Sequence, residues 1–162
     1  MAPMTHVPAS ASHVEMTQLV MPSHANSHGT AFGGTVMSWI DLAAGMAAMR
    51  HARLPVVTAS IDQLAFRSPV RIGQIALVRA QVNAVFDTSM EVGVLVLTEE
   101  PLTGVQQVCC EAFLTFVALG PDQHPRPVPP LRAESELEQR RQREAGTRRA
   151  ARLKLRDEQK GT

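Results

Sequence analysis

The chain has 162 residues, the length of a single domain, and 44% of them are hydrophobic, which is enough for a packed core. Its formal net charge is +1, and residues 1–130 carry six arginines against nine acidic residues, so the composition argues against a nucleic-acid-binding domain. No lysine or arginine precedes Arg50, so the positively charged start of a secretory signal is missing. The adjacent Cys109 and Cys110 would point to opposite faces of a strand, so a disulfide between them is not expected. We therefore expect a cytoplasmic protein without a secretory signal or a disulfide framework.

The N-terminal third is organised around one long apolar segment. Residues 1–12 predict a flexible end, residues 13–21 alternate loosely and predict a short strand, and the turn-forming residues 22–29 predict a loop. The apolar run over residues 31–49 is long enough for a membrane span, but Asp41 near its middle would cost roughly 3 kcal/mol to insert. A buried helix from about Phe32 to His51 explains the run better, so no membrane span is expected.

The central part of the chain is β in character. Runs rich in Val, Thr and Ile, separated by turns, predict four strands over residues 56–66, 74–86, 90–97 and 105–119. Strands joined by short turns pair antiparallel, and one long apolar helix needs a sheet to cover it. The sequence therefore predicts an α+β domain over residues 13–120, in which a five-stranded antiparallel sheet wraps a long central helix.

The C-terminal part changes character twice. Residues 121–130 contain five prolines and predict a stiff exit from the domain. Residues 131–162 carry ten basic and six acidic residues and few apolar ones, which predicts a solvated tail that is either helical or disordered. Binding of this tail to an acidic partner or a membrane surface is the alternative.

Asp41 is the most informative residue, because it is the only charged side chain between Glu15 and Arg50 and lies in an otherwise apolar helix. A buried carboxylate is costly unless it has a partner, which allows either a structural bond to a loop amide or a chemical role. Gly34, Ser38 and Asp41 share a stripe of small or polar residues on this helix, continued by Gly45 and Ala48. Such a stripe lets a second helix or a thin ligand approach closely.

Gly33 and Gly34 stand at the start of the same helix. Free N–H groups and the positive end of the helix dipole can hold a developing oxyanion there, although two glycines also suit a tight turn. Asp41 lies seven residues after Gly34, about 10 Å along the helix axis. If both groups act on one substrate, they come from different subunits, which predicts a two-fold dimer with two equivalent sites.

Other site chemistries have no support in the sequence. No histidine pair has helical metal spacing beside an acid, and no Cys-x-x-Cys pattern occurs, so a metal site is not expected. A serine elbow, a phosphate-binding loop and a dinucleotide fingerprint are also missing.

Four ordered motifs resemble the hotdog-fold acyl-CoA thioesterases, in particular the cytosolic acyl-CoA hydrolase branch with its YciA-like and brain-type members. The motifs are residues 26–34 (NSHGTAFGG), 37–41 (MSWID), 57–62 (VTASID) and 66–73 (FRSPVRIG), and the resemblance spans about residues 16–119. It implies a hotdog fold, dimers with a continuous sheet, and assembly into a hexamer as a trimer of dimers. It also implies acyl-CoA as substrate, with coenzyme A as part of substrate and product and no separate cofactor.

The same resemblance implies roles for single residues. Asp41 would be the catalytic carboxylate, acting either as general base on water or as nucleophile. Asn26 would contribute from the partner subunit. The N–H of Gly33 or Gly34 would hold the thioester carbonyl. Residues 57–62 and 67–73 would border the coenzyme A groove, which makes Thr58 and Ser60 candidate polar contacts beside the thioester.

Arginines are the candidate ligands for the coenzyme A phosphates, because guanidinium matches phosphate bidentately. The candidates are Arg53, Arg67 and Arg71, and ordinary surface charge is the alternative for each. Some hotdog thioesterases of other branches have a hydroxyl residue one turn after the acid, where this chain has Gly45; Ser38, one turn before, is a substitute candidate.

Two other functions remain open at this point. A hotdog domain can sense acyl-CoA without cleaving it, although the presence of both Asp41 and Asn26 favours catalysis. A hotdog dehydratase usually has an Asp/His pair in its own motif, and the sequence offers none.

Overall fold

The computed structural model of the protein describes residues 4–161 and has the predicted α+β architecture. Two helices and seven strands follow one another in this described part: β1 (Val7–Pro8), β2 (Val14–Leu19), α1 (Gly33–Ala52), β3 (Val56–Phe66), β4 (Ile75–Phe86), β5 (Ser89–Glu99), β6 (Gln106–Ala118), β7 (Leu131–Arg132) and α2 (Glu136–Lys160). Five strands form one antiparallel sheet in the order β2-β4-β5-β6-β3. The predicted helix and five-stranded sheet are therefore confirmed.

Helix α1 packs against one face of this sheet through small side chains. Ala43, Ala44 and Ala47 have no exposed surface, and the larger Trp39 and Ile40 fill the space beside them. Small residues let the helix backbone approach the strands closely. The helix ends at Arg53, whose left-handed φ of 55° turns the chain toward β3.

The side of α1 that faces away from the sheet stays partly apolar. Leu42 is 59% exposed, and Met37, Met46 and Met49 are also exposed. Strand β3 lies at the edge of the sheet and exposes Val57 as well. A long edge strand beside an exposed apolar helix face is a surface that another chain can cover.

Both ends of the chain carry secondary structure that the sequence did not predict. Strand β1 pairs in parallel with β7, and residues 9–12 form a 3-10 turn whose Ser12 hydroxyl accepts a hydrogen bond from the Val82 amide. The flexible N-terminus predicted over residues 1–12 is thus a strand and a turn over residues 7–12, while residues 1–3 lie outside the described part. The reason is the pairing with Leu131, more than 120 residues away in sequence.

Helix α2 lies on the opposite face of the sheet from α1. Phe116 of β6 contacts α1 beside Gly45, whereas Phe113 contacts Arg148 of α2, and residues three apart in a strand point to opposite faces. The Ser135 side chain caps α2 by accepting the Glu138 amide, and Glu138 reaches back to the Ser135 amide. The tail over residues 131–162 therefore takes the helical alternative over most of its described length.

Within residues 4–161, neither helix combines the length and the apolar character needed to cross a bilayer. The same described residues contain no group of three His, Cys, Asp or Glu side chains placed to hold a metal ion.

Candidate active site

Asp41 and Thr58 meet across the groove between α1 and β3. The Thr58 hydroxyl donates a hydrogen bond to Asp41 Oδ1 at 2.7 Å. Asp41 is partly buried rather than enclosed in the core, and Thr58 is exposed. The expectation that Asp41 is buried is therefore wrong for one protomer, because its helix face looks toward the edge strand and solvent. The carboxylate is held in one orientation while a second molecule can still reach it.

Asn26 closes the loop that leads into α1. Its Oδ1 accepts the amides of His28 at 2.9 Å and Thr30 at 3.3 Å, and its Nδ2 donates to Thr30 Oγ1 at 3.0 Å. These bonds make a compact turn, in which Gly29 takes a φ of +75° that favours glycine. The turn fixes Asn26 near the N-terminus of α1.

The N-terminus of α1 presents free donors, as predicted. No side chain caps it, and the Phe32 carbonyl accepts the amides of Thr35 and Val36. Among the described residues nothing accepts from the N–H groups of Gly33 and Gly34. Two uncapped amides at a helix N-terminus are suited to bind a carbonyl oxygen that gains negative charge.

A cavity of about 320 Å³ lies directly at this helix start. It is lined by the loop before α1, the first turn of α1 and the turn after β3: Thr30, Ala31, Gly33, Val36, Phe66, Arg67, Ser68, Pro69 and Val70. Asp41 does not line it. In one chain the candidate oxyanion donors at the start of α1 and the Asp41 carboxylate therefore lie in separate parts of the surface.

The three candidate arginines do not come together in one chain. Arg67 lines the cavity at the start of α1, and the Arg71 backbone pairs with Thr30 beside the Asn26 turn. Arg53 lies at the other end of α1, about 30 Å from Gly33. Within one subunit, a single ligand can therefore meet Arg67 and Arg71 at this end of the helix but not Arg53.

Ser60 lies on the other face of the sheet from Asp41. The pairing of β3 with β6 shifts between Thr58 and Ser60, so that Thr58 faces Phe116 while Ser60 faces Thr115. This bulge inserts one residue and turns Ser60 away from α1. Within the subunit, Ser60 is therefore not beside Asp41, and its role as a polar contact beside the thioester stays a prediction. Ser38, the suggested substitute hydroxyl, donates to the Thr35 carbonyl of its own helix at 2.7 Å.

The sequence prediction missed a buried charge cluster under α2. Glu91 on β5 has no exposed surface; it accepts two hydrogen bonds from Arg148, at 3.0 and 2.7 Å, and one from Asn83 at 3.0 Å. Burial alone would lower the pKa of Arg148, but the hydrogen bonds and charge of Glu91 outweigh burial and raise that pKa above its ordinary value. Gly93 leaves room for Asn83, because an added Cβ would lie 2.6 Å from its Nδ2.

Sequence comparison identifies the family. Residues 28–105 match the thioesterase superfamily. The chain is 41% identical over 127 residues to an uncharacterized acyl-CoA thioester hydrolase, YkhA, of Bacillus subtilis, and covers 74% of it. It is also 39% identical over 140 residues to the acetyl-coenzyme A thioesterase of Mus musculus, of whose length it spans only 25%.

Solved structures agree with the sequence comparison. An apo hexameric acyl-CoA thioesterase superposes with a TM-score of 0.90 at 38% identity, over 94% of this chain and 97% of that one. An acyl-CoA hydrolase of Staphylococcus aureus, solved with butyryl coenzyme A, coenzyme A and coenzyme A disulfide, gives a TM-score of 0.90 at 34% identity, over 96% and 95% of the two chains. Variants of that hydrolase with Asn, Asp and Thr each changed to Ala were also solved.

One long helix against a five-stranded antiparallel sheet is thus a hotdog fold, as predicted. The chain belongs to the thioesterase superfamily, and the relatives and solved structures that it matches are named as acyl-CoA thioesterases or acyl-CoA hydrolases.

Proposed function

We propose that this protein hydrolyses acyl-CoA thioesters to a carboxylate and coenzyme A. The observation that carries the proposal is the Asp41 carboxylate, oriented by the Thr58 hydroxyl at 2.7 Å in an open groove of an acyl-CoA hydrolase fold. The three Staphylococcus aureus variants support the same residues. Their replaced positions are fifteen and seventeen residues apart, which is the spacing of Asn26, Asp41 and Thr58 here.

Asp41 acts on water as a general base in the simpler of the two routes. The carboxylate accepts a proton while the water oxygen attacks the thioester carbonyl carbon. The C–S bond then breaks, and the thiolate leaves and takes up a proton as the coenzyme A thiol. In the alternative route the carboxylate attacks directly, and water hydrolyses the resulting anhydride. Both routes need Asp41 ionised.

The amides of Gly33 and Gly34 hold the carbonyl oxygen as negative charge develops on it. Such donors, fixed before the reaction begins, are worth about 2.7–4 kcal/mol each where they have been removed in other enzymes. Asn26, close to the same helix start, orients the carbonyl or the water.

Each active site is built from two subunits. Asp41 lies about 10 Å along α1 from Gly34, too far for both to act on one thioester in one chain. A two-fold dimer places the helix start and Asn26 of one subunit beside Asp41 of the other, twice. The exposed β3 edge and the apolar face of α1 offer the surface for this dimer. Three dimers form a hexamer, the state named for a thioesterase of the same fold.

Coenzyme A binds along the groove that borders residues 67–73. Arg67 lines the cavity at the helix start, and Arg71 is the next candidate phosphate ligand; Arg53 reaches this end only from another subunit. No cofactor beyond the coenzyme A of the substrate enters the proposal. The cytoplasmic location stays a prediction.

The test is thiol release from a panel of acyl-CoAs by the wild-type protein and by Asp41→Asn. Asparagine keeps the shape and removes the ionised carboxylate, so hydrolysis should fall by at least about a hundredfold with the assembly intact. Asp157→Asn is the matched control, because it makes the same change at a carboxylate of α2 that is 70% exposed and pairs with the neighbouring Arg156. Binding of acyl-CoA by wild type without thiol release would overturn the proposal in favour of a sensor.

A further inference from the structure

Strand β3, which carries Thr58, pairs with β6 through a ladder of hydrogen bonds that is interrupted. Its pairing with β6 shifts twice, between Thr58 and Ser60 and between Asp62 and Ala65. Gln63 in the second interruption takes a φ of 33°, a backbone conformation rare for a residue with a side chain. Its own hydrogen bonds therefore fix the Thr58–Asp62 segment only in part.

Helix α2 holds this same segment from the face opposite α1. Arg152 Nη1 lies 2.6 Å from Asp62 Oδ2, and the two side chains are only 24% and 22% exposed. Asp62 comes four residues after Thr58, between the two interruptions. The ion pair therefore binds the strand where the ladder is interrupted.

Arg148 anchors α2 one turn before Arg152. Its guanidinium binds the buried Glu91 and stacks 3.6 Å from the centre of the Phe113 ring. Phe113 is the cross-strand partner of Asp62. The two arginines, four residues apart on one helix face, thus connect the centre of the sheet to its edge strand.

We propose that Arg152 and Asp62 are positioning residues for the reaction: they hold β3 so that the Thr58 hydroxyl stays against Asp41. The inference rests on the proposed function. The C-terminal helix is then part of the catalytic unit, although it lies across the sheet from the carboxylate. Arg152 acts through Thr58 and does not touch substrate.

The experiment compares Arg152→Gln with Arg156→Gln in the full-length protein. Arg156 is the matched control, because it lies one turn further along α2 and forms an ion pair with Asp157 of the same helix. For Arg152→Gln we expect kcat to fall about fivefold to tenfold with KM within about twofold, since coupling through packed elements is of this size. Arg156→Gln should match wild type in both constants.

A double-mutant cycle separates positioning from general destabilisation. If Arg152 acts through Thr58, Arg152→Gln should cost much less on a Thr58→Val background than in wild type. Arg152→Lys, which keeps the charge, should recover part of the loss. Hydrogen exchange of the amides over residues 58–62 should become faster in Arg152→Gln at a temperature where the protein stays folded.

The outcomes distinguish the two proposals. An active wild type with equal kcat for both glutamine variants, or an unchanged loss on the Thr58→Val background, overturns the positioning role. A wild type that releases no thiol from any acyl-CoA overturns the proposed function instead, while faster exchange over residues 58–62 would still report the clamp itself.

Discussion

The two faces of the sheet are covered by two helices of opposite character. Helix α1 covers its face with alanines and a few large apolar side chains, and its contacts are close because those side chains are small. Helix α2 has one fully buried residue, Ala145, and holds its face through charged groups: Arg148 on Glu91, Arg152 on Asp62, and Arg149 4.8 Å from the centre of the Phe86 ring. Packing density stabilises the first face, and directed polar contacts specify the second.

The largest effect should come from separating the buried pair under α2. Arg148→Met leaves the Glu91 charge buried without its cation, which should lower the free energy of unfolding by about 3–5 kcal/mol. Replacing both partners by Met should cost far less, because no charge is then left unpaired. Urea unfolding of the two variants checks this contrast. Equal destabilisation by the single and double variants would show that packing, not charge, governs this face.

Overpacking should be the next largest effect, and it should appear only on the α1 face. Ala44→Leu inserts three carbons where no surface is exposed and should destabilise by about 1–3 kcal/mol. The same change at the exposed Ala150 of α2 should stay within about 0.5 kcal/mol. Unfolding curves for both variants would contradict the comparison if Ala150→Leu were the more damaging.

A smaller, pH-dependent effect should arise where α1 ends. His51 is buried, one ring nitrogen bonds to the Pro129 carbonyl at 2.8 Å, and Nδ1 has no partner among the described residues. Burial lowers the pKa of His51 below its ordinary 6.5, although the bond to Pro129 opposes the shift. The unfolded chain then takes up a proton before the folded one. Stability should fall as the pH drops below about 6.5, by at most about 1.4 kcal/mol per pH unit.

The control for this prediction is His51→Gln, compared with wild type by urea unfolding at pH 7.5 and pH 5.5. The variant should be destabilised at pH 7.5 but should lose less stability than wild type on acidification. Parallel losses in the two proteins would assign the pH dependence to other groups.

The same contrast explains what could be predicted from the sequence. Helix α1 and the five strands follow from apolar periodicity and turn residues, because their burial pattern is local. The pairing of β1 with β7 and the Arg152–Asp62 contact join residues that are far apart in the chain. The sequence of a polar surface helix such as α2 does not indicate which residues the helix contacts.

The candidate site divides in the same way. Asp41 is conspicuous in the sequence, since it is a single charge in an apolar helix, and the family motifs suggested Thr58 and Asn26. The placement of Ser60 could not be predicted, because one bulge residue reverses its face. The distance between Arg53 and Arg67 depends on the structure, because Arg53 follows the C-terminus of the 20-residue helix α1 while Arg67 lines the cavity at its N-terminus.

Each active site is proposed to take Asn26 and the helix start from one subunit and Asp41 from another. Mixing two inactive variants tests this sharing directly. Asn26→Ala and Asp41→Asn chains are produced separately and then together in one cell, and thiol release from acyl-CoA is measured per subunit. Each variant alone should be nearly inactive. With random pairing about half of the dimers are mixed, and in each mixed dimer one of the two sites combines the intact Asn26 with the intact Asp41. The activity of the whole mixture should therefore return to about a quarter of wild type. Mixtures that stay as inactive as the separate variants, with mixed dimers shown to be present by mass, would contradict the shared site.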